Sequence, residues 1–182
     1  MSNRMDFSLR PLAQDDLRSV FEWRNSDRVR TKMFESQVIP WKNHLKWFHS
    51  LQGNPHQQCM MFEYNGRTIG VVTVKLVDKE ADTWIWGCYL GPMRAVPKAG
   101  TIMGFCALEF FFESMKVARV IGEAVAANSH SLEFNARLGF KTEKAFVKRN
   151  SLLVDVPAIL LTYTVAEWAR YKPELVSFCF DE

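Results

Sequence analysis

The amino-acid sequence predicts an α/β (α+β) domain with a mixed, mostly antiparallel sheet of about seven strands and helices on both faces. Its 182 residues, 48% of them hydrophobic, suit one domain with a full core and are too few for two. Asn65-Gly66 joins two strand-like segments, which is the strongest short signal for a β-hairpin. In the second half a strand, a loop, a helix and another strand follow one another, and such a crossover implies one central parallel pair.

The first third of the chain begins with a strand and continues with helices, because apolar residues there recur at helical spacing. The strand is predicted at residues 7–12, and the helices at residues 16–25, 28–33 and 41–51. Asp15 is placed to cap the first helix and Asp27 to begin the second. Pro40 precedes the third helix, at a position where proline favours a helix start.

The rest of the chain alternates between strands and buried helices. Strands are predicted at residues 58–64, 68–77, 82–90, 117–126, 144–149 and 158–164, and helices at residues 101–115 and 129–138. The strand at 117–126 is almost continuously apolar, as expected for a strand covered on both faces. Gly139 ends the second helix, and residues 150–155 form the turn between the last two strands. We expect a single domain over residues 1–182, with a core at about 7–168 and a C-terminal extension at 169–182.

Charge and cysteine spacing exclude several classes of function. The formal net charge of +3 is spread without long basic runs, which argues against a nucleic-acid partner and suits an anionic small ligand. The four cysteines and four histidines lack metal-site spacing, so we expect no metal, free thiols and a reducing, cytoplasmic compartment. Residues 1–10 lack the apolar run of a signal peptide, and we expect no membrane partner because no apolar segment is long enough.

A glycine-containing loop opens the helix predicted at 101–115 and is the first candidate binding site. It reads Pro97-Lys98-Ala99-Gly100-Thr101-Ile102. The first amides of a helix have no partners within it, and the helix dipole adds partial positive charge there, so such a terminus binds phosphate or pyrophosphate. Gly100 would let the backbone approach the anion, and Lys98 would add charge. An ordinary loop with a glycine at a helix start explains the same residues about as well.

Residues 128–140 are the second candidate site. Asn128 follows the apolar strand and can cap the next helix. Ser131 and Asn135 are four residues apart, so they share one face of that helix. A capped amphipathic helix that ends in glycine would account for many of these residues, but it leaves their joint spacing unexplained.

This spacing resembles the second coenzyme-binding segment of the GNAT superfamily of acetyltransferases. The residues that match are Asn128, Ser131, Asn135, Arg137, Gly139 and Phe140. Of the superfamily's pyrophosphate-loop pattern, only the central glycine, Gly100, is present. The resemblance implies a GNAT-like sheet with a splayed parallel pair and acetyl-CoA as co-substrate. The residues it implies for coenzyme binding are Tyr89, Leu90, Gly91, Lys98, Ala99, Gly100, Thr101, Ile102, Asn128, Ser131 and Asn135.

Separate segments between residues 9 and 168 agree in order with one subgroup of this superfamily. They include Trp23-Arg24-Asn25, His44-Leu45-x-Trp47-Phe48, Trp86-Gly87-x-Tyr89-Leu90-Gly91, Gly122-Glu123-x-Val125-x-x-Asn128 and Val154-Asp155-Val156. The chain thereby resembles the N-acetyltransferases of pseudaminic acid biosynthesis, which act on UDP-4-amino-4,6-dideoxy-N-acetyl-β-L-altrosamine. The resemblance implies direct acetyl transfer from acetyl-CoA to the 4-amino group of this nucleotide sugar in a ternary complex.

Glu123 and Asn135 are the candidate catalytic residues. Burial in an apolar strand would disfavour the charged carboxylate and make Glu123 a better base for the attacking amine near neutral pH. A structural pairing of Glu123 with Arg24, Arg119 or a backbone amide is the alternative. The superfamily often has tyrosine at the position of Asn135, where it protonates the departing thiolate. Asn135 therefore either binds only the coenzyme, or leaves that proton to water, Tyr89 or another residue.

The resemblance places the acceptor under a helical N-terminal arm. It implies that Arg24 and His44 contact the nucleotide sugar and that Lys75 and Trp86 line the same pocket. The alternatives are surface charge, helix packing or, for Trp86, an ordinary core position. A protein N-terminus or an aminoglycoside is an alternative acceptor, and a non-catalytic coenzyme-binding domain is an alternative function. The sequence does not decide between a monomer and a homodimer.

Overall fold

The computed structural model describes residues 3–92 and 96–181 as one seven-stranded sheet with helices on both faces. The strands are β1 (Phe7–Pro11), β2 (Gln57–Tyr64), β3 (Arg67–Asp78), β4 (Thr83–Leu90), β5 (Arg119–Val125), β6 (Lys141–Arg149) and β7 (Asp155–Thr164). The helices are α1 (Leu17–Asn25), α2 (Asp27–Arg30), α3 (Trp41–Leu51), α4 (Ala99–Glu109), α5 (Ser129–Leu138) and α6 (Val165–Phe180). The strand order is β1-β2-β3-β4-β5-β7-β6. None of the described helices has the length and apolar character needed to cross a membrane.

The predicted fold class is confirmed. The strand pairs β1–β2, β2–β3, β3–β4, β5–β7 and β6–β7 are antiparallel, and β4–β5 is parallel. Asn65 and Gly66 both have positive φ, 49° and 72°, which is the backbone that the tight hairpin between β2 and β3 requires. The main differences lie at the edge of the sheet, where β6 and β7 begin three residues earlier than their sequence pattern indicates. Most of β6 is exposed, so no apolar alternation marks its start.

Alternate residues of the central strands face two separate cores, as the pleat of a strand dictates. On one face, Phe62 and Val72 pack against α4 and α6 in the larger core. On the other face, Met61 and Val71 pack against Val20 of α1 in a smaller core. The three helices α1–α3 on this second face are called the N-terminal arm below.

Two helix starts differ from the sequence prediction. A 3₁₀ turn, Gln14–Asp16, precedes α1, and Asp15 is exposed and does not cap the helix. The neighbouring Asp16 is buried instead, and its carboxylate accepts hydrogen bonds from Arg10 at 2.6 and 2.8 Å and from the amide of Ala13 at 2.9 Å. The hydrogen bonds from Arg10 on β1 to Asp16 therefore attach the start of the arm to the sheet. Likewise Ser26, and not Asp27, occupies the position before α2, which is shorter than expected.

The Arg10–Asp16 pair leads to a stability prediction. Its hydrogen bonds with Arg10 hold the pKa of Asp16 below the usual value. The stabilisation is therefore present above the ordinary aspartate pKa and is lost as pH falls through the lowered one. We expect Asp16→Asn to reduce the free energy of unfolding by about 2 kcal/mol at neutral pH, and by less in acid.

Urea denaturation at pH 7 and at acid pH measures this difference. Asp15→Asn is the matched control because Asp15 is exposed, and it should leave the unfolding free energy unchanged. A loss with Asp16→Asn that does not shrink in acid would contradict the ionic origin of the stabilisation.

Close packing of α4 against α5 positions both helix starts on the same side of the sheet. A Cβ atom at Gly104 would lie only 2.5 Å from Cδ1 of Leu138, so glycine allows the helices to approach there. The predicted helix 101–115 corresponds to α4 followed by one π-helical turn, Phe110–Ser114. Residues 169–180, expected as an extension, continue α6 and contribute Leu175 and Cys179 to the larger core.

Candidate active site

The parallel pair β4–β5 opens into a wedge at its carboxyl end. The two strands pair from Thr83 and Arg119 as far as Trp86 and Gly122, and no further. Beyond that point, residues 87–90 stay paired with β3 and residues 123–125 stay paired with β7. The facing edges of β4 and β5 therefore diverge, which confirms the splayed pair that the sequence predicts.

Two adjoining cavities occupy this wedge and the space under the arm. The smaller, of about 390 Å³, lies against the start of α4, and the larger, of about 700 Å³, extends from the wedge to the N-terminal arm. Residues that line both are Arg28, Leu90, Gly100, His130 and Phe134. Because these residues are shared, the two cavities form one continuous groove.

The start of α4 supplies two free amides to the smaller cavity. Lys98 has a positive φ of 59°, and α4 begins at the next residue. The amide of Ala99 donates to Val96 and that of Ile102 donates to Lys98, which leaves those of Gly100 and Thr101 for a ligand among the residues that the structure describes. Ile102 is completely buried, so its side chain belongs to the core rather than to the phosphate loop. Of the residues predicted at 97–102 for anion binding, Gly100 and Thr101 are therefore the two whose amides are free within residues 3–92 and 96–181.

The start of α5 faces the same groove. The side chain of Asn128 caps the helix by accepting from the amide of Ser131 at 3.2 Å. Gly139, with φ of 98°, ends it as predicted. Asn128, Ser131 and Asn135 all line the larger cavity, so the structure brings the predicted coenzyme segment together.

Asn135 fits a coenzyme contact and not an acid. Its Nδ2 group donates to the carbonyl of Ser131 at 2.8 Å, which fixes the orientation of the amide. Its Oδ1 atom is buried and has no hydrogen-bond partner among the described residues. Buried acceptors are rarely left unpaired, so this atom is suited to an N–H group of a bound ligand such as the pantetheine arm of coenzyme A.

Glu123 lies on the arm side of β5, at the first position beyond the paired part of the wedge. Its carboxylate forms an ion pair with Lys148 of β6, and the Lys148 ammonium also lies 4.7 Å from the ring centre of Phe34. Neither Arg24 nor Arg119, the partners considered from sequence, pairs with it, since Arg119 binds Thr162 and Glu143. The structure therefore pairs Glu123 as the structural alternative anticipated, but with Lys148 as the partner.

Arg24 on α1 is the most unusual charge in the larger cavity. Its Nη2 group donates to the carbonyl of Glu35 at 2.9 Å, but Nη1 is buried and has no partner among the described residues. Burial lowers the pKa of the Arg24 guanidinium below its ordinary value. A charge held in this way, without a carboxylate in contact, is suited to bind an anion.

His44 lines the larger cavity but also has a structural role. It is 4% exposed, and its Nε2 atom donates to the carbonyl of Leu17 at 3.1 Å, which ties α3 to α1. Its ring packs 5.1 Å from the ring of Trp47, measured between centres. Burial lowers the pKa of His44, so its neutral form is favoured.

Of the two remaining predicted acceptor contacts, Trp86 lines the larger cavity and Lys75 lines neither. Lys75 is exposed on β3 and does not line either cavity, because it lies further along the strand than Val71 and Thr73, which do. Trp86 lines the larger cavity, but its ring stacks on Phe140, with centres 5.5 Å apart, on the sheet face opposite the arm. Trp86 therefore lies beside α5, with its ring 6.2 Å from that of Phe134, measured between centres.

The end of β4 contacts both the arm and β3. Tyr89 lines the larger cavity on the arm side, and burial raises the pKa of its phenol, so the neutral form dominates. Arg28 of α2 donates to the carbonyl of Leu90, and the amide of Gly91 donates to Ile69 at 2.8 Å. The contacts of Arg28 with Leu90 and of Lys148 with Glu123 are the ones that sequence reasoning missed.

Residues 6–141 match the acetyltransferase (GNAT) domain. The search of curated protein sequences found no match.

Solved structures of acetyltransferases share this fold. Spermidine N-acetyltransferase from Vibrio cholerae, in complex with CoA and spermine, has a TM-score of 0.81 at 12% identity, over 91% of this chain and 99% of that one. AAC(6')-Ib in complex with ribostamycin and coenzyme A has a TM-score of 0.77 at 15% identity, over 91% of this chain and 97% of that one. Mycobacterium smegmatis RimJ in complex with CoA-disulfide has a TM-score of 0.77 at 16% identity, over 94% of this chain and 88% of that one.

The family match covers most of the chain, and the fold, the open wedge and the coenzyme segment agree with it. Acetyl-CoA is the co-substrate of this family, and the free amides of α4 and the open acceptor on Asn135 are suited to hold it. The chain belongs to the acetyltransferase (GNAT) family and is an acetyl-CoA-dependent N-acetyltransferase.

Proposed function

We propose that this enzyme transfers the acetyl group of acetyl-CoA to the 4-amino group of a UDP-linked amino-dideoxy sugar of pseudaminic acid biosynthesis. The transfer is a direct attack in a ternary complex. The observation that carries the proposal is Arg24, which lines the larger cavity and whose buried Nη1 group has no partner among the described residues.

The charges around the larger cavity favour an anionic acceptor. Arg24, Arg28 and Lys32 line it, whereas Glu123 is its only carboxylate among the described lining residues. Glu123 is already paired with Lys148. A polyamine or an aminoglycoside carries several positive charges and would need acidic groups that this lining does not offer. The negative charge of a nucleoside diphosphate instead complements these three basic residues.

The size and lining of the cavity also suit a nucleotide sugar. Its volume of about 700 Å³ is in the range of small-molecule sites. The arm contributes apolar and aromatic groups, including Ile39 and Trp47, beside the arginines. This combination of aromatic surface and positive charge is suited to a ligand with a planar base, a sugar and phosphates.

Glu123 is the proposed base for the acceptor amine. The amine must lose a proton as its nitrogen bonds to the acetyl carbon, and a charged carboxylate accepts that proton directly or through one water. Most of the remaining rate enhancement comes from holding the two reactants in one groove.

The coenzyme is proposed to lie along the other half of the groove. The amides of Gly100 and Thr101 at the start of α4 face the smaller cavity and would hold the pyrophosphate. Lys98 and Arg137 add positive charge to the same cavity. The pantetheine arm would then pass into the wedge beside Asn135, which brings the thioester to the side of the sheet where Glu123 lies.

A screen of amine acceptors by mass spectrometry tests the proposal. The purified protein and acetyl-CoA are incubated with the UDP-linked 4-amino sugar, spermidine, an aminoglycoside or a peptide with a free N-terminus. We expect acetylation of the nucleotide sugar well above that of the others. Preferential acetylation of a cationic acceptor would contradict the proposal, and no coenzyme consumption with any amine would leave the alternative of a non-catalytic coenzyme-binding domain.

A further inference from the structure

Trp86 and Asn135 hold two hydrogen-bonding groups at the apex of the wedge. Trp86 forms the last pair of the parallel ladder with Gly122, and Asn135 reaches the same place from α5. A Cβ atom at Gly122 would lie 3.2 Å from Nε1 of Trp86 and 3.6 Å from Oδ1 of Asn135. Glycine at this position therefore leaves the space between a donor and an acceptor open.

The Trp86 indole differs from the other buried tryptophans. Nε1 of Trp84 donates to Asp82 at 2.8 Å, and Nε1 of Trp168 donates to Glu113 at 2.9 Å. Trp86 is 7% exposed, yet its Nε1 forms no hydrogen bond with any residue that the structure describes. This N–H is not among the fully buried polar groups that lack a partner, so it is accessible to a ligand in the cavity that Trp86 lines.

The acceptor on Asn135 is equally available. Its Oδ1 atom is buried without a partner within the described part of the chain, and the bond from Nδ2 to Ser131 prevents the amide from turning round. A ligand at the apex thus meets one N–H donor and one carbonyl acceptor on either side of Gly122. The reactive end of coenzyme A offers the complementary pair, because two carbon atoms separate its sulfur from its nearest amide N–H.

We propose that the Trp86 N–H donates a hydrogen bond to the departing coenzyme sulfur and that Asn135 Oδ1 accepts one from the adjacent amide of the pantetheine arm. The pair takes the place of the tyrosine that this family often carries at position 135. The inference concerns the coenzyme and is independent of which amine is the acceptor.

The assignment accounts for every bond and proton in the transfer. The C–N bond forms as the C–S bond breaks, the electron pair leaves on sulfur, and the amine proton passes to Glu123. An indole N–H stabilises the thiolate without giving up its proton, and a neutral donor is effective in a site with little water. A thiolate needs little further help near neutral pH, so no acid is required at position 135.

Calorimetry with coenzyme A and with desulfo-coenzyme A, in which hydrogen replaces the thiol, tests the sulfur contact without turnover. At mildly alkaline pH, where part of the thiol is ionised, we expect wild type to bind coenzyme A about tenfold more tightly than the desulfo compound. Trp86→Phe keeps the ring on Phe140 and should abolish that preference. Trp84→Phe is the matched control, since Trp84 lies on the same strand and face but donates to Asp82, and it should retain the preference.

Asn135→Leu separates the second contact from the first. It should weaken binding of both compounds by the same factor, because the pantetheine amide is common to them. If Trp86→Phe does not fold, Gly122→Ala provides the same test, since its Cβ would stand between the two groups. A folded Trp86→Phe or Gly122→Ala variant that keeps the full preference for coenzyme A would overturn the proposal.

Discussion

Replacing Glu123 with glutamine is expected to lower kcat by about a hundredfold to a thousandfold, the range that a positioned general base contributes. Glutamine keeps the shape of the side chain but cannot accept the amine proton. Coenzyme affinity should be unchanged, because Glu123 lies on the arm side of β5, away from the amides of α4. Steady-state kinetics and calorimetry with coenzyme A measure the two effects.

Glu143→Gln is the matched control for this variant. Glu143 also pairs with a basic residue of the sheet, Arg119, but it does not line either cavity. It should therefore leave kcat unchanged. Wild-type turnover in Glu123→Gln would remove Glu123 as the base and leave its pair with Lys148 as a purely structural contact.

Replacing Arg24 with methionine is expected to raise KM for the nucleotide sugar about tenfold to a hundredfold, the contribution of a charge-assisted hydrogen bond to a phosphate. The effect on kcat should be smaller, because the contact is remote from the reacting amine and is formed before and during the transfer. Arg24→Lys should recover only part of the affinity, since an ammonium lacks the planar fork of a guanidinium.

Arg18→Met on the same helix is the control, because Arg18 is exposed and pairs with Glu22 four residues along. It should not change KM. An unaltered KM in Arg24→Met would mean that the acceptor does not use this charge. A lower KM for spermidine in the same variant would show only that the positive charge repels cations.

The local features of the site could be predicted from sequence because they depend on neighbours in the chain. The Asn65-Gly66 hairpin needs two residues that tolerate positive φ. The cap by Asn128 and the end of α5 at Gly139 follow from helix rules over a few residues. The crossover between β4 and β5 follows from the order of elements, and it fixes where the wedge opens.

The contacts that could not be predicted join distant parts of the chain. The pair of Glu123 with Lys148 depends on the register of an exposed edge strand that carries little apolar pattern. Arg10 on β1 donates to Asp16 and not to Asp15, and this contact attaches the arm to the sheet. Neither choice leaves a signal in composition or local spacing.

The predictions for Trp86 and Lys75 differ from the structure because the sequence does not define the position of a strand residue relative to the groove. Trp86 lines the larger cavity, but its ring lies on the sheet face opposite the arm, against Phe134 and Phe140. Lys75 shares a face with Thr73 but lies beyond the end of the cavity. A shift of one or two residues along a strand decides such roles, and the sequence alone does not define where along the sheet the groove lies.

The central claim is that the enzyme recognises its acceptor through negative charge. The most direct measurement is kcat/KM for the UDP-linked 4-amino sugar and for the same amino sugar without the nucleotide, both at saturating acetyl-CoA. We expect the nucleotide-linked sugar to be preferred by about a hundredfold or more, because Arg24 and its basic neighbours act on the diphosphate. Equal values for the two acceptors, or a higher value for the free sugar, would contradict the claim.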